Sequence, residues 1–190
     1  ELYVPAERAG AVWDALMTKL TDCIGAFLLA QARAGVHALQ IFDAWSGWLP
    51  PEDYRRFSRP YTQRLVDMLK PTGLPIMHLV GDGSAMLGDI AQVDSDVVGV
   101  DWRIDLGAAW SIIGTDRAIQ GNLDPAAMLG SWSALRERTQ YVLDQAAGRP
   151  GHIFNLGHGV PRPANPDQMK RLLDQMKRLV DFVHEASSRA

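Results

Sequence analysis

Apolar positions along the chain alternate between two periods. From Val12 to Ala34 they recur at helical spacing, with Leu16, Leu20, Ile24, Phe27 and Leu28 on one side and Gly35 as a stop. Ala38 to Asp43 then reads as a short buried strand. Pro51-Glu52-Asp53 opens a second helix that runs to about Lys70 and ends ahead of Pro71 and Gly73. The next strand is Pro75 to Val80, followed by Gly81-Asp82-Gly83 and a short helix to about Val93. Val97 to Trp102 is a third strand, Leu106 to Ile113 a brief helix, and Ala118 to Asn122 a fourth strand. Trp132 to Ala147 is helical in pattern, a fifth strand starts at Gly151, and a long helix closes the chain from Pro166 to about Ser187. In that last helix the heptad beginning at Asp167 is nearly repeated from Asp174. Two heptads suit an amphipathic helix on a core better than a coiled coil, which needs three or more.

Strands that alternate with helices imply right-handed βαβ units and a parallel sheet. Two closures fit: an open doubly wound sheet, or part of a (β/α)8 barrel of the TIM type. A whole barrel takes typically ~250 residues and eight strands. With 190 residues and about five strands, the chain holds a partial barrel, read as a single domain over 1–190. It opens on a helix that should follow a strand, so a preceding N-terminal portion is expected.

Composition narrows the function classes. The chain is 47% hydrophobic and 22% charged, the balance of a globular domain and not of a disordered one. A net charge of −3 gives no footprint for non-specific nucleic-acid binding. The single cysteine, Cys23, excludes an intrachain disulfide and a multi-thiolate metal site, and suggests a reducing, cytoplasmic setting. No apolar run approaches the ~20 residues that span a bilayer. The start, Glu1-Leu2-Tyr3-Val4-Pro5, has neither a secretion signal nor an initiator methionine.

Polar residues gather at the strand ends: Asp43, Asp82 between two glycines, Asp101, Asn122 with Asp124, and Asn155 with His158. In a barrel these converge on one cavity at the carboxyl face. Gly157 and Gly159 flank His158, so the backbone there leaves the strand sharply and the imidazole sits where it can donate, accept or carry charge. The others have plainer readings: Asp82 as a turn residue, Asp124 before Pro125 as a helix N-cap, and Asp101 as an ion-pair partner of Arg103. His37, His152 and His184 sit in helix or strand contexts and read as structural. There is no Gly-x-Gly-x-x-Gly fingerprint, no Gly-x-Ser-x-Gly elbow, and no His-Glu-x-x-His or paired-cysteine spacing for zinc.

Four segments together resemble the uroporphyrinogen decarboxylase family. They are Ile41-Phe42-Asp43-Ala44-Trp45-Ser46-Gly47 with Pro51-Glu52-Asp53-Tyr54, Val97 to Arg103 with its Gly-x-Asp-Trp strand, Gln120-Gly121-Asn122-Leu123-Asp124-Pro125, and Phe154-Asn155-Leu156-Gly157-His158-Gly159. They stand in the family's order over nearly the whole chain. The resemblance implies a (β/α)8 barrel that removes carbon dioxide from the four acetate side chains of uroporphyrinogen III, giving coproporphyrinogen III on the route to haem. It implies no metal or organic cofactor, a tetrapyrrole substrate, no nucleic-acid or membrane partner, and a cytoplasmic homodimer with clefts near the interface. The family's main aspartate and arginine-rich loop are expected upstream of this chain, so the catalytic residues themselves are not assigned here.

The resemblance places His158 among the substrate-contacting residues. Where the family usually has serine or threonine after the Phe-Asp pair, this chain has Ala44. Ser46, two positions on, would share the face of Ala44 if the strand continues that far. Gly81 stands where many relatives have lysine. The related zinc- and corrinoid-dependent methyltransferases fit less well: His78 is not followed by the expected cysteine, the C-terminal loop has His158 in place of cysteine, and Cys23 falls on a helix. A third reading is an inactive or truncated half-barrel that self-associates through its open edges.

Overall fold

Five parallel strands stand side by side in chain order in the computed structural model, which describes residues 6–159 and 166–188. They are β1 (Leu39–Asp43), β2 (Ile76–Val80), β3 (Val97–Gly99), β4 (Ala118–Leu123) and β5 (His152–Leu156). A doubly wound sheet reverses its strand order at a switch point. Here each strand pairs with its sequence neighbours without reversal, so the sheet is an arc of a barrel. The helices are α1 (Ala6–Arg33), α2 (Pro51–Asp53), α3 (Arg59–Leu69), α4 (Leu87–Ile90), α5 (Leu106–Ile113), α6 (Trp132–Ala146) and α7 (Pro166–Ser187).

The period of two along each strand sorts side chains between two environments. Leu39, Ile76, Val98, Ile119 and Leu123 turn toward the helices and are buried. Beneath β1 and β2 they meet Leu65, Val66 and Leu69 of α3, and farther along the sheet they join Leu106, Trp110 and Leu135. The other face is the barrel interior. There Phe42 is 70% exposed and Ile153 is 39% exposed, because an arc of five strands leaves its inner face uncovered.

Helix α1 turns most of its apolar side outward. Its apolar spacing is as read, but Leu16, Leu20, Ile24 and Phe27 face outward together with Val12, and only Leu28 of that set is buried. The helix docks on α3 through the adjacent stripe. Trp13 donates its indole N–H to the Phe57 carbonyl at 3.0 Å, Thr21 is buried, and Gly25 lies so close to Met68 that a Cβ there would come 2.4 Å from its Cε. Periodicity shows that a helix has an apolar side but not which neighbour covers it.

The second helix is also more structured than its sequence pattern. It runs from Pro51 to Leu69, but residues Tyr54–Ser58 form a π-helical turn between α2 and α3. The wider turn brings Tyr54 and Ser58 inward, where both are buried behind the end of β1.

Candidate active site

The loops at the carboxyl ends of β1 and β2 are pressed together backbone to backbone. A Cβ on Gly47 would fall 1.9 Å from the Gly81 carbonyl oxygen, and one on Gly81 would fall 2.8 Å from the Ala44 carbonyl oxygen. Both positions therefore need glycine for the close approach. This gives Gly81 a reason beyond charge, since any side chain there would push the turn at Ala44 away.

Behind this turn lies a polar cluster. Ser46 donates to Asp43 and shares a hydrogen bond of 2.9 Å with Ser58, whose hydroxyl also reaches Asp43 at 3.5 Å. His78 is fully buried on the helix-facing side of β2, with its Nε2 3.8 Å from the Asp43 carboxylate. The Tyr54 hydroxyl is buried without a hydrogen-bond partner among the described residues, and burial, reinforced by the Asp43 charge, pushes its pKa far above the ordinary phenol range. Strand β1 ends at Asp43, so the alternation that would carry Ser46 onto the face of Ala44 stops short of it. The serine is buried and turned toward Asp43, while Ala44 is exposed at the mouth. Ser46 thus holds the turn from behind.

Across the mouth the polar and aromatic side chains form a connected line. Trp48, 71% exposed, donates its indole N–H to one oxygen of Asp82 at 3.2 Å. The other oxygen of Asp82 takes an ion pair from Arg103 Nη1. Asp82 itself has a left-handed backbone (φ 57°), a conformation that a short polar residue tolerates in a turn. The Arg103 guanidinium lies over the Trp102 ring, 3.9 Å from its centre, and Trp102 meets His158 edge to face at 5.9 Å. Gly157 closes this end: its N–H donates to the Leu123 carbonyl at 2.7 Å, and a Cβ there would come 2.5 Å from the Trp102 nitrogen. The line runs from the loop after β1 to the loop after β5, and sequence neighbours alone do not reveal it. Trp48 carries no sequence signal beyond an aromatic in a turn.

The remaining strand-end residues divide between roles. Asp101 is buried. One of its oxygens accepts from the Arg103 backbone N–H at 2.8 Å and from Ser84 at 3.2 Å, and the other lies 3.9 Å from Arg103 Nη1. Its expected pairing with Arg103 therefore runs mainly through the backbone. Asp124 caps the turn after β4 by accepting from the Ala126 N–H at 2.8 Å. Asn122 turns its amide to the carbonyls of Asp101 and Ile104, at 2.9 and 2.6 Å, fixing the β3 loop to β4. Asn155 is exposed and accepts from the Leu156 N–H. His152 is half-buried, 2.8 Å from the Gly121 carbonyl, and burial holds its pKa below the usual imidazole value.

Concavities also lie outside the sheet. One of about 640 Å³ lies between α6 and α7, but its Arg178 and Arg136 rest over the rings of Trp132 and Phe182, so its cations are spent locking two helices. Among the described residues no group of three or more His, Cys, Asp and Glu side chains is placed to hold a metal ion, and no helix is long and apolar enough to cross a membrane.

A parallel arc in sequential order, with its polar line at the carboxyl ends, defines the chain as part of a (β/α)8-barrel protein. A methyltransferase from Methanosarcina mazei has the same fold: TM-score 0.67 at 17% identity, covering 92% of this chain and 54% of that one. The particular family follows from sequence. The pattern of the uroporphyrinogen decarboxylase (URO-D) family matches residues 7–179, and the chain belongs to that family. It is 39% identical to the uroporphyrinogen decarboxylase of Carboxydothermus hydrogenoformans over 98% of its length, covering 52% of that protein. With the uroporphyrinogen decarboxylase of Roseiflexus sp. it shares 45% identity over 93% of its length, covering 50% of that protein. The chain thus spans about half the length of the curated relatives it matches.

Proposed function

We propose that this chain forms part of an enzyme that decarboxylates the four acetate side chains of uroporphyrinogen III, giving coproporphyrinogen III. The observation that carries the reading is the line from Trp48 through Asp82, Arg103 and Trp102 to His158, set at the carboxyl ends of the strands of a chain that belongs to this family.

The chemistry sets the requirements. At each acetate arm the pyrrole takes a proton on a ring carbon, and the bond to the carboxylate carbon breaks as its electrons neutralise the ring cation. The released methylene carbon is then protonated and the ring returns its own proton, so one proton is consumed for each carbon dioxide lost. The site must stabilise the ring cation and hold the other carboxylates. His158 contacts the substrate at the β5 side, and Ala44 forms the wall on the β1 side without the hydroxyl usual in the family. The exposed faces of Phe42, Trp45 and Trp48 offer apolar surface to the macrocycle. The main carboxylate and the arginine clamp lie in sequence outside this chain. No cofactor takes part, and the enzyme works as a cytoplasmic homodimer.

A second reading is a half-barrel that no longer turns over substrate and self-associates. The outward stripe of α1 and the exposed Phe42 favour it, since apolar surface of this extent seeks cover. Incubating uroporphyrinogen III with the natural polypeptide that carries this sequence, and separately with the 190-residue chain, distinguishes the two. Sequential loss of carbon dioxide by the natural polypeptide alone is expected. Turnover by the 190-residue chain would show that the essential carboxylate lies within it, and no turnover by either would favour the inactive reading.

A further inference from the structure

The mouth is acidic where its proposed substrate is acidic too. Asp82, Asp101 and Asp124 all stand at the strand ends, and Arg103 is a permanent cation paired with the first two. Its side chain is 46% exposed. It reaches both Asp82 and Asp101 through Nη1. The Trp102 ring carries the guanidinium over it and meets His158 in a T-shaped contact. The arginine is therefore part-exposed and rests over the ring that also meets the histidine the proposed function assigns to substrate.

We propose that Arg103 is a carboxylate-binding residue of this site, parked on Asp82 at rest and taken over by a side-chain carboxylate of the porphyrinogen. The inference rests on the proposed function for the identity of the ligand. Asp82 is suited to the resting role because Trp48 fixes its second oxygen and its turn is pinned by the Gly47–Gly81 approach. An exposed ion pair of this kind contributes little stability, so exchanging one carboxylate for another costs little. A substrate carboxylate that engages two parallel N–H groups of the guanidinium gains strong, charge-assisted geometry. Trp102 keeps the guanidinium in plane throughout, a service that lysine in place of arginine would not accept.

A purely structural bridge between the β2 and β3 loops makes the opposite prediction from a carboxylate competitor. If Arg103 and Asp82 merely tie two loops, removing either partner harms the site alike. If Asp82 competes with substrate, the two removals act in opposite directions. The test measures equilibrium binding of uroporphyrin III, the non-reacting oxidised octa-acid, and KM for uroporphyrinogen III, on the natural polypeptide. Arg103→Ala is expected to weaken binding and raise KM by about tenfold, equivalent to about 1.4 kcal/mol. Arg103→Lys, which keeps charge and fold, weakens both by a smaller factor, and Asp82→Asn tightens binding at least about twofold by removing the competing charge. Unchanged affinity in Arg103→Ala, or weakened affinity in both Arg103→Ala and Asp82→Asn, would overturn the proposal. Opposite shifts in uroporphyrin binding with no turnover by the wild type would instead sink the decarboxylase reading and leave the carboxylate site standing.

Discussion

Trp102 and His158 meet edge to face with ring centroids 5.9 Å apart and planes at 82°, joining the loop after β3 to the loop after β5. The contact sets the imidazole at the edge of the mouth, against the same ring that carries Arg103. Neither residue is deeply buried, so the pairing serves to aim His158 more than to stabilise the fold.

His158→Ala is expected to slow decarboxylation by the natural polypeptide by about tenfold, in the range of a lost charge-assisted contact, and to accumulate partly decarboxylated porphyrinogens. Chromatography of the oxidised products at successive times checks it. A wild-type rate and product distribution would remove His158 from the site.

Gly47→Ala should destabilise the protein by at least about 2 kcal/mol, because overpacking a site where the new Cβ meets a backbone carbonyl forces the backbone to move. The carbonyl is that of Gly81, 1.9 Å from the built position. Gly10→Ala, in the exposed part of α1 with nothing within 4 Å, should stabilise by up to about 1 kcal/mol. Urea unfolding of the two variants gives opposite signs if the packing argument is right.

Tyr54→Phe should leave stability within about 1 kcal/mol of wild type or raise it, since the change removes a buried hydroxyl that has no partner. The side chain is fully buried and its hydroxyl unpaired among the described residues. Its folded pKa lies above the unfolded one, so the folded state keeps the proton while the unfolded state loses it. Wild-type stability therefore falls as pH rises beyond about 10, and Tyr54→Phe flattens that fall. Unfolding curves between neutral and alkaline pH test both parts.

His152 works in the other direction. Burial lowers its folded pKa beneath the unfolded value, with the Gly121 carbonyl acting partly against that shift. Below pH of about 6.5 the unfolded chain takes up a proton that the folded one refuses, so stability declines as pH falls through the unfolded value toward the folded one. His152→Gln keeps an N–H donor for the Gly121 carbonyl but does not titrate. It should flatten the decline, and an unchanged pH profile would assign the acid sensitivity to other groups.

The order of elements, the parallel sheet and the family were legible in the chain itself. Helix and strand periods differ enough to separate the segments, and local signals such as Pro51, Gly35 and Asp124 mark their ends with a physical reason at each. His158 stood out for the same kind of reason, a histidine between two glycines at a strand end. What local pattern does not carry is which face meets which neighbour. The apolar stripe of α1 pointed outward, Ser46 turned behind the sheet to Asp43, and Gly81 proved to be a place of backbone contact with the turn at Ala44. The line from Trp48 to His158 joins residues more than a hundred positions apart, brought together only because the strands lie parallel with their carboxyl ends on one side. Sequence set the elements because their periods are local, and tertiary structure decided the site because its contacts are not.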